Sequence, residues 1–502
     1  MKKLLILFYL LFCASTHAAA QWSDYYDVEN IPLPDSLDPQ IGGLTTLNNG
    51  KLVATFHSGE VMIYDPANTR WSTFASGLHE PLGVVQGNDE NLYVMQWGEL
   101  TRLVDNDKNG VAEKYQTVFD DFGVSGNYHE FAFGPAKDSA GNLYISLNVA
   151  SYYNGVFREV RGDFSPIGFL TQQTMSNWKQ ENWEVLRNKA GRMYSRVPYR
   201  GWVFKIDTKG KATPFASGFR SPDGIGIDEQ DQLWVTDNQG DWRGTSPLYH
   251  VKQNGFYGHP ASLVWRKGWT RNPLEVPVAE LNKMQTPASA LFPQGELANS
   301  PTQPVTTLYP ELFGLPKGEL LIGEMNQPTL IRFLPEKVNG FVQGALIPFL
   351  NKSALGIGNH RLTFGNDGSL YVGKIHLTWA GGEGVTRVTW NKKPFLFAQK
   401  VSLQPNGFKI LFNQAIGETM PKVSVTRHTY NYHADYGSEK IDLTNVPIIS
   451  ADFNKKRTEL FIRLPEIKAS YLYTITLDGV ADHEGNPLMG DVIRYNVVKK
   501  VL

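Results

Sequence analysis

The side chains best suited to chemistry in this 502-residue chain fall in a few short clusters. Asn127-Tyr128-His129-Glu130 sets an imidazole, which titrates near neutral pH, beside a carboxylate able to orient it, as a general base requires, with the Tyr128 phenol next to it. The structural alternative is a histidine that hydrogen-bonds a strand edge. Arg220-Ser-Pro-Asp223 is followed after one strand by Asp237-Asn-Gln-Gly-Asp241-Trp242. The arginine fork suits a carboxylate, and Asp237 and Asp241 with their amide neighbours suit a hard cation such as calcium. A network of Asx and glycine turns is the competing reading.

Trp242, Tyr249, His250, Tyr257 and His259 open an insert rich in Trp and Pro. Such rings stack on the apolar faces of sugars, or they pack a long loop. The spacing of His250 to His259 fits no tight metal motif. Arg361, in Gly356-Ile-Gly-Asn-His-Arg361, is a candidate clamp for an anion or cofactor, with Lys374, His376 and Trp379 just beyond the next strand. Finally, Asp105-Asn-Asp107-Lys-Asn109-Gly110 has the form of a calcium loop with Glu113 at its ninth place, but Gln116 stands where a bidentate Glu would close the site. An Asx-rich hairpin explains it equally.

Loops of this kind need a frame, and the frame is a repeat. A turn followed by a short apolar strand recurs six times, as in Glu90-Asn-Leu-Tyr-Val-Met95 and Gly141-Asn-Leu-Tyr-Ile-Ser146, with its leucine at Leu52, Leu92, Leu143, Leu233, Leu320 and Leu370. The two long intervals hold inserts, around 150–200 and 242–310, without sustained helical periodicity. Ala75-Ser-Gly-Leu-His-Glu-Pro-Leu-Gly83 matches Ala216-Ser-Gly-Phe-Arg-Ser-Pro-Asp-Gly224 in the same register. Six units predict an all-β, six-bladed β-propeller over 21–390, because a radial array hides the strand edges that an open sheet exposes. Loops of all blades converge at the centre of one face, where ligands bind. After Trp390 the repeat stops; Asn391-Lys-Lys-Pro-Phe395 reads as a linker, and alternating strands over 397–502 predict a small β-sandwich. Its Asp482-His-Glu-Gly-Asn-Pro-Leu488 is similar to a motif of bacterial Ig-like modules, which bind or space.

Residues 1–20 have a charged start, an apolar core and a small-residue end, so they read as a secretory signal, which implies a periplasmic or secreted protein. The single cysteine, Cys13, leaves with it, so neither a disulfide nor a thiolate metal site is expected. Removing Lys2 and Lys3 leaves 46 basic against 49 acidic residues, a charge of −3, which suggests neither a nucleic-acid nor a membrane-surface partner. Nothing beyond the signal reaches the length of a transmembrane helix.

Taken together, the six repeats, His129 ahead of the Gly141 strand, Gly218-Phe-Arg220 with Pro222-Asp-Gly-Ile, Asn254-Gly-Phe-Tyr-Gly-His-Pro260, and Arg361 with Asp367-Gly-Ser-Leu-Tyr371 resemble the soluble glucose/sorbosone dehydrogenase family. The resemblance covers roughly 38–390. It implies pyrroloquinoline quinone (PQQ) and calcium as cofactors, His129 as the base that takes a sugar hydroxyl proton, and Arg220 and Arg361 as holders of the quinone carboxylates. Asp223 stands where the family's Arg-Asn-x-Gln signature ends, and Asn326 falls where its quinone-contacting lysine would be. Asn359 replaces one of a pair of arginines, and no Cys-x-x-Cys-His is present for covalent haem. The expected function is a sugar-directed oxidoreductase working with a separate electron acceptor. A cofactor-independent lyase or hydrolase on acidic polysaccharide, and a non-catalytic propeller that binds carbohydrate or protein, remain as alternatives.

Overall fold

Four of the six repeats, those led by Asp89, Asp138, Asp228 and Asp367, open on a turn whose aspartate folds back on its own backbone. In the computed structural model, which describes residues 21–152, 161–171, 183–376 and 381–501 without the side chains of 183–186, Asp138 Oδ1 accepts the Asn142 N–H at 2.8 Å while Gly141 sits at φ +88°. Asp228 caps Gln232 and Asp367 caps Ser369 in the same way, at 2.8 and 3.0 Å. The proposed signal and Trp379 lie outside the described residues.

Every repeat leucine begins the second of the four antiparallel strands that make a blade; five of the six blades are separate four-stranded sheets and the fifth is part of a larger one. These second strands are Leu52–Phe56, Leu92–Met95, Leu143–Leu147, Leu233–Thr236, Leu320–Glu324 and Leu370–Lys374. Leu143–Leu147 is buried on both faces because each blade is covered by two neighbours, which explains the continuous apolar run. The first strands, Ile41–Thr46, Val84–Gln86, Ala132–Lys137, Gly224–Ile227, Pro301–Thr306 and Asn359–Phe364, neighbour one another in a closed ring about the axis. Their glycines are a matter of space: a Cβ on Gly83 would stand 1.8 Å from the Gly134 carbonyl oxygen. Strand Tyr26–Ile31 closes the ring by pairing with Val385–Trp390 of the sixth blade.

Adjacent blades are stitched at the face that carries the candidate loops. The last hydroxyl of a second strand donates to the carbonyl at the next blade's entrance, Thr55 to Pro81 (3.1 Å), Ser146 to Pro222 (2.9 Å) and Thr236 to Pro301 (3.0 Å). Each such bond contributes about 1 kcal/mol. The inserts hold short helices, Trp183–Ala190 and Val278–Met284, which their sequence periodicity does not announce.

The C-terminal residues form two packed sheets, and one of them is continuous with the propeller. The outer strand of blade five, Phe341–Phe349, pairs with Val492–Val497 and becomes part of an eight-stranded sheet. Leu334, Ala345 and Ile347 of that blade share one core with Phe408, Ile462, Tyr473 and Tyr495. The stretch expected to be a linker is not free: Phe395 is 2 % exposed and packs on Trp22, Tyr25 and Tyr26. An aromatic anchor and a shared strand thus replace a flexible joint.

Candidate functional site

His129 sits on the loop entering blade three. Asn127 shapes that loop, its Oδ1 accepting the N–H groups of His129 and Ser151 at 3.1 Å each. His129 Nδ1 lies 2.8 Å from the Val149 carbonyl oxygen, which can only accept, so Nδ1 carries the proton and Nε2 carries the lone pair. No hydrogen bond engages Nε2 among the described residues. Burial first, and the Arg220 charge second, pull its pKa down to about 4, so the imidazole is a neutral base at neutral pH. Glu130 does not orient it, contrary to expectation. That carboxylate is fully buried beneath the loop, accepting the Ser125 N–H at 2.7 Å with Arg200 at 4.0 Å, so a backbone carbonyl supplies the orientation instead. Tyr128 is 39 % exposed, with its ring centroid 5.8 Å from the imidazole.

Arg220 approaches from blade four. Its Nε donates to Asp241 Oδ1 at 2.9 Å, and Asp241 Oδ2 receives His259 Nε2 at 3.1 Å. Burial works to raise Asp241, but His259 and Arg220 outweigh it and hold the carboxyl well below its ordinary range. His259 is itself lowered by burial and is neutral near pH 7, so Arg220 is the countercharge. The two Nη groups make no hydrogen bond among the described residues and form an unfilled carboxylate fork. A Cβ on Gly240 would stand 2.0 Å from Arg220 Nε, so this approach requires glycine.

Asp237, expected as a metal ligand, is consumed by the backbone. It accepts the N–H groups of Arg220 (2.9 Å), Ser221 (2.6 Å) and Asn238 (2.9 Å), together with Arg243 Nε (3.2 Å). The same device fastens other blades, Gln96 on the His79 N–H and Glu324 on those of Asn299 and Ser300. With Asp241 occupied by Arg220 and His259, neither carboxylate offers calcium the several open oxygens it needs.

Arg361 is also committed. It plugs the axis, donating Nε to the Gly42 carbonyl (3.0 Å), Nη2 to the Leu82 carbonyl (3.1 Å), and both Nη to Asp223 Oδ1 (3.2 Å). Asp223 also meets His360 Nε2 at 2.9 Å. Burial raises Asp223, but His360 and Arg361 outweigh it and hold it low; His360 is neutral near pH 7, so the charge partner is Arg361. Beside this plug lies a small cavity lined by Phe131, Phe133, Asn148, Ser221, Asp223 and Asn238, where the buried Asn148 and Asn238 Oδ1 atoms lack partners among the described residues. Such orphaned amides are poised for ligand hydroxyls.

Other expected contacts lie elsewhere. Tyr249 and Tyr257 are core side chains, the first donating to the Tyr257 carbonyl (3.1 Å) and the second to the His250 carbonyl (3.1 Å). His250 stacks on Trp234 at 4.8 Å on the third strand of blade four. Trp242 and His259 line a separate cavity beside Met193, Tyr194 and Leu274. Asn326 follows the second strand of blade five with its N–H on Glu324 Oε1 (2.9 Å), and burial pushes that carboxyl up to about 7. Lys374 is buried and donates to the Leu355 and Ile357 carbonyls. Asp105, Asp107 and Glu113 do converge, with Asn109, but at the outer edge of blade two, where they hold their own hairpin's N–H groups.

The quinone therefore lacks its cradle. A tricarboxylate needs several cationic or N–H partners, and of the residues the resemblance implies Arg220 alone offers open donors among the described residues; Arg361 serves internal carbonyls and Asp223, Lys374 serves internal carbonyls, and Asn326 is uncharged. One contributor was invisible in the sequence: Tyr436, from the C-terminal sheets, lies with its ring 5.5 Å from the Arg220 guanidinium.

A scan against protein-family models and a search of curated proteins return no match. Among solved structures, the chain is similar to the PQQ-bound aldose sugar dehydrogenase of Streptomyces coelicolor, at 14% identity, 73% of this chain, 98% of that chain and a TM-score of 0.44. The PQQ domain of a pyranose dehydrogenase from Coprinopsis cinerea gives 12%, 72%, 95% and 0.46. A streptogramin B lyase gives 14%, 74%, 100% and 0.38. None of these likenesses assigns a chemistry to this chain.

Proposed function

We propose that the protein is an enzyme acting on a carboxylate-bearing carbohydrate, in which Arg220 binds the carboxylate and His129 removes a proton next to it. The observation that carries this reading is the pairing of two unfilled groups on loops joined through Val149: the lone pair of His129 Nε2, fixed by the Val149 carbonyl, and the open Nη fork of Arg220, whose own carbonyl accepts the Val149 N–H at 3.1 Å.

The electrostatics connect binding to chemistry. A carboxylate in the Arg220 fork neutralises the charge that lowers His129, so substrate raises the basicity of the group that must act on it. The same guanidinium withdraws electron density from the carboxylate and acidifies the neighbouring C–H. The proton passes to Nε2, its electron pair forms a carbon–carbon double bond, and the bond to the oxygen on the next carbon breaks. Tyr128, exposed beside the imidazole, can protonate the departing oxygen and regain its proton from solvent. Asn148 and Asn238 suit the sugar hydroxyls. This is β-elimination on a uronate, and a signal-bearing chain would meet such glycans outside the cytoplasm.

The test is turnover of uronic acid oligosaccharides without added cofactor, followed as absorbance of the conjugated product. The wild type should form it and His129→Ala should not; equal rates in the two proteins refute the reading.

A further inference from the structure

We propose that the 430–438 loop of the C-terminal sheets completes the site, and that Tyr436 is the platform on which a sugar ring stacks. This rests on the carbohydrate reading above and extends it to a residue from outside the propeller.

The loop is seated on the blade-four loop that holds Arg220. The Trp242 N–H donates to the His433 carbonyl, the Gly437 N–H to the Gly240 carbonyl and the Ser438 N–H to the Gly244 carbonyl, all at 2.9 Å. The Tyr432 hydroxyl adds a bond to the Gly258 carbonyl at 2.5 Å. Gly437 sits at φ +65° with a would-be Cβ 3.0 Å from the Gln239 side chain, so the turn is fitted to this place. These bonds fix the loop without any help from the Tyr436 side chain.

Tyr436 is nonetheless placed with purpose. Its ring centroid lies 5.5 Å from the Arg220 guanidinium carbon and 4.7 Å from that of Arg192. Even so it is 52 % exposed, and its hydroxyl makes no hydrogen bond among the described residues. An aromatic ring that large, half open beside an unfilled carboxylate fork, offers a surface for the C–H face of a pyranose. A uronate whose carboxylate enters the Arg220 fork brings its own or the adjoining ring against Tyr436. The C-terminal sheets then belong to the substrate site and set its preference for a ring-shaped acid over a small open-chain one.

The experiment is calorimetric titration of the full chain with trigalacturonate and with the neutral galactotriose of the same linkage, using wild type, Tyr436→Ala and Tyr436→Phe. Tyr436→Ala should weaken trigalacturonate about tenfold, and Tyr436→Phe should stay within about twofold. Unchanged affinity in Tyr436→Ala overturns the platform and leaves the uronate reading standing; tighter binding also overturns it, because the ring is then a cover. Equal binding of both sugars, weakened equally by Tyr436→Ala, supports the platform and refutes the carboxylate reading. Binding of neither sugar overturns both. Should Tyr436→Ala not fold, saturation-transfer NMR on the wild type and on Tyr436→Phe decides: transfer from protein aromatic protons to sugar C–H protons in both supports the platform, and its absence in the wild type overturns it.

Discussion

Replacing Arg220 by Met should raise the pKa of His129. The folded imidazole lies at about 4 against an ordinary 6.5, a separation worth about 3.4 kcal/mol between its protonation states. Burial is the larger cause and survives the substitution; the Arg220 charge is the second cause and is removed. Asp241 and Asp237, which already act to raise His129, lose an opposing charge. The pKa should therefore climb part of the way toward 6.5, measurable by NMR titration of the imidazole C–H signals with His129→Gln for assignment. The sign fixes two further readouts. The base works when neutral, so the acid limb of the pH–rate profile should move to higher pH. Because the unfolded histidine binds a proton below about 6.5 and the folded one only below about 4, stability falls as pH drops through that window, and the variant should narrow it. A His129 pKa that stays at about 4 or falls would refute the coupling on which the mechanism depends.

Two further outcomes test the frame. Arg361→Met leaves Asp223 buried without its charge partner and takes this donor from the Gly42 and Leu82 carbonyls, which should cost about 3–5 kcal/mol in denaturant unfolding; Arg361→Met with Asp223→Asn should cost less than the two changes summed. Deleting 391–502 should give insoluble protein rather than a free propeller, since it bares the edge of Phe341–Phe349 and the core faces of Leu334, Ala345 and Ile347, as a solubility and sedimentation assay would show.

The frame was legible because it is written locally. Leu92 and Leu143 mark second strands through turn chemistry that needs no distant partner, and Gly83 marks the axis through its spacing from such a strand. The site was half legible. His129 and Arg220 stand at loop positions that the repeat predicts, but which groups remain open depends on contacts across the ring. Arg361 reads as a clamp in the sequence and is spent on carbonyls of blades one and two, more than two hundred residues away along the chain. Asp237 reads as a metal ligand and is spent on backbone N–H groups. His250 and Tyr249 are adjacent in sequence, yet strand alternation sends them to opposite faces of blade four, against Trp234 and Tyr257. Tyr436 had no signal, since nothing local ties a C-terminal loop to the propeller face. A matching Gly240 and Gly437 at the docking point are the only trace, and two glycines among 47 are not informative.

The central claim, that His129 removes a proton beside a carboxylate held by Arg220, is tested most directly by deuterium incorporation. Trigalacturonate incubated in deuterated buffer with the full-length protein, without quinone or metal, would be followed by proton NMR at the position next to the carboxylate. The account predicts loss of that signal, by exchange or elimination, with wild type and none with His129→Gln. Retention of the signal with wild type, or equal loss with both proteins, would contradict it.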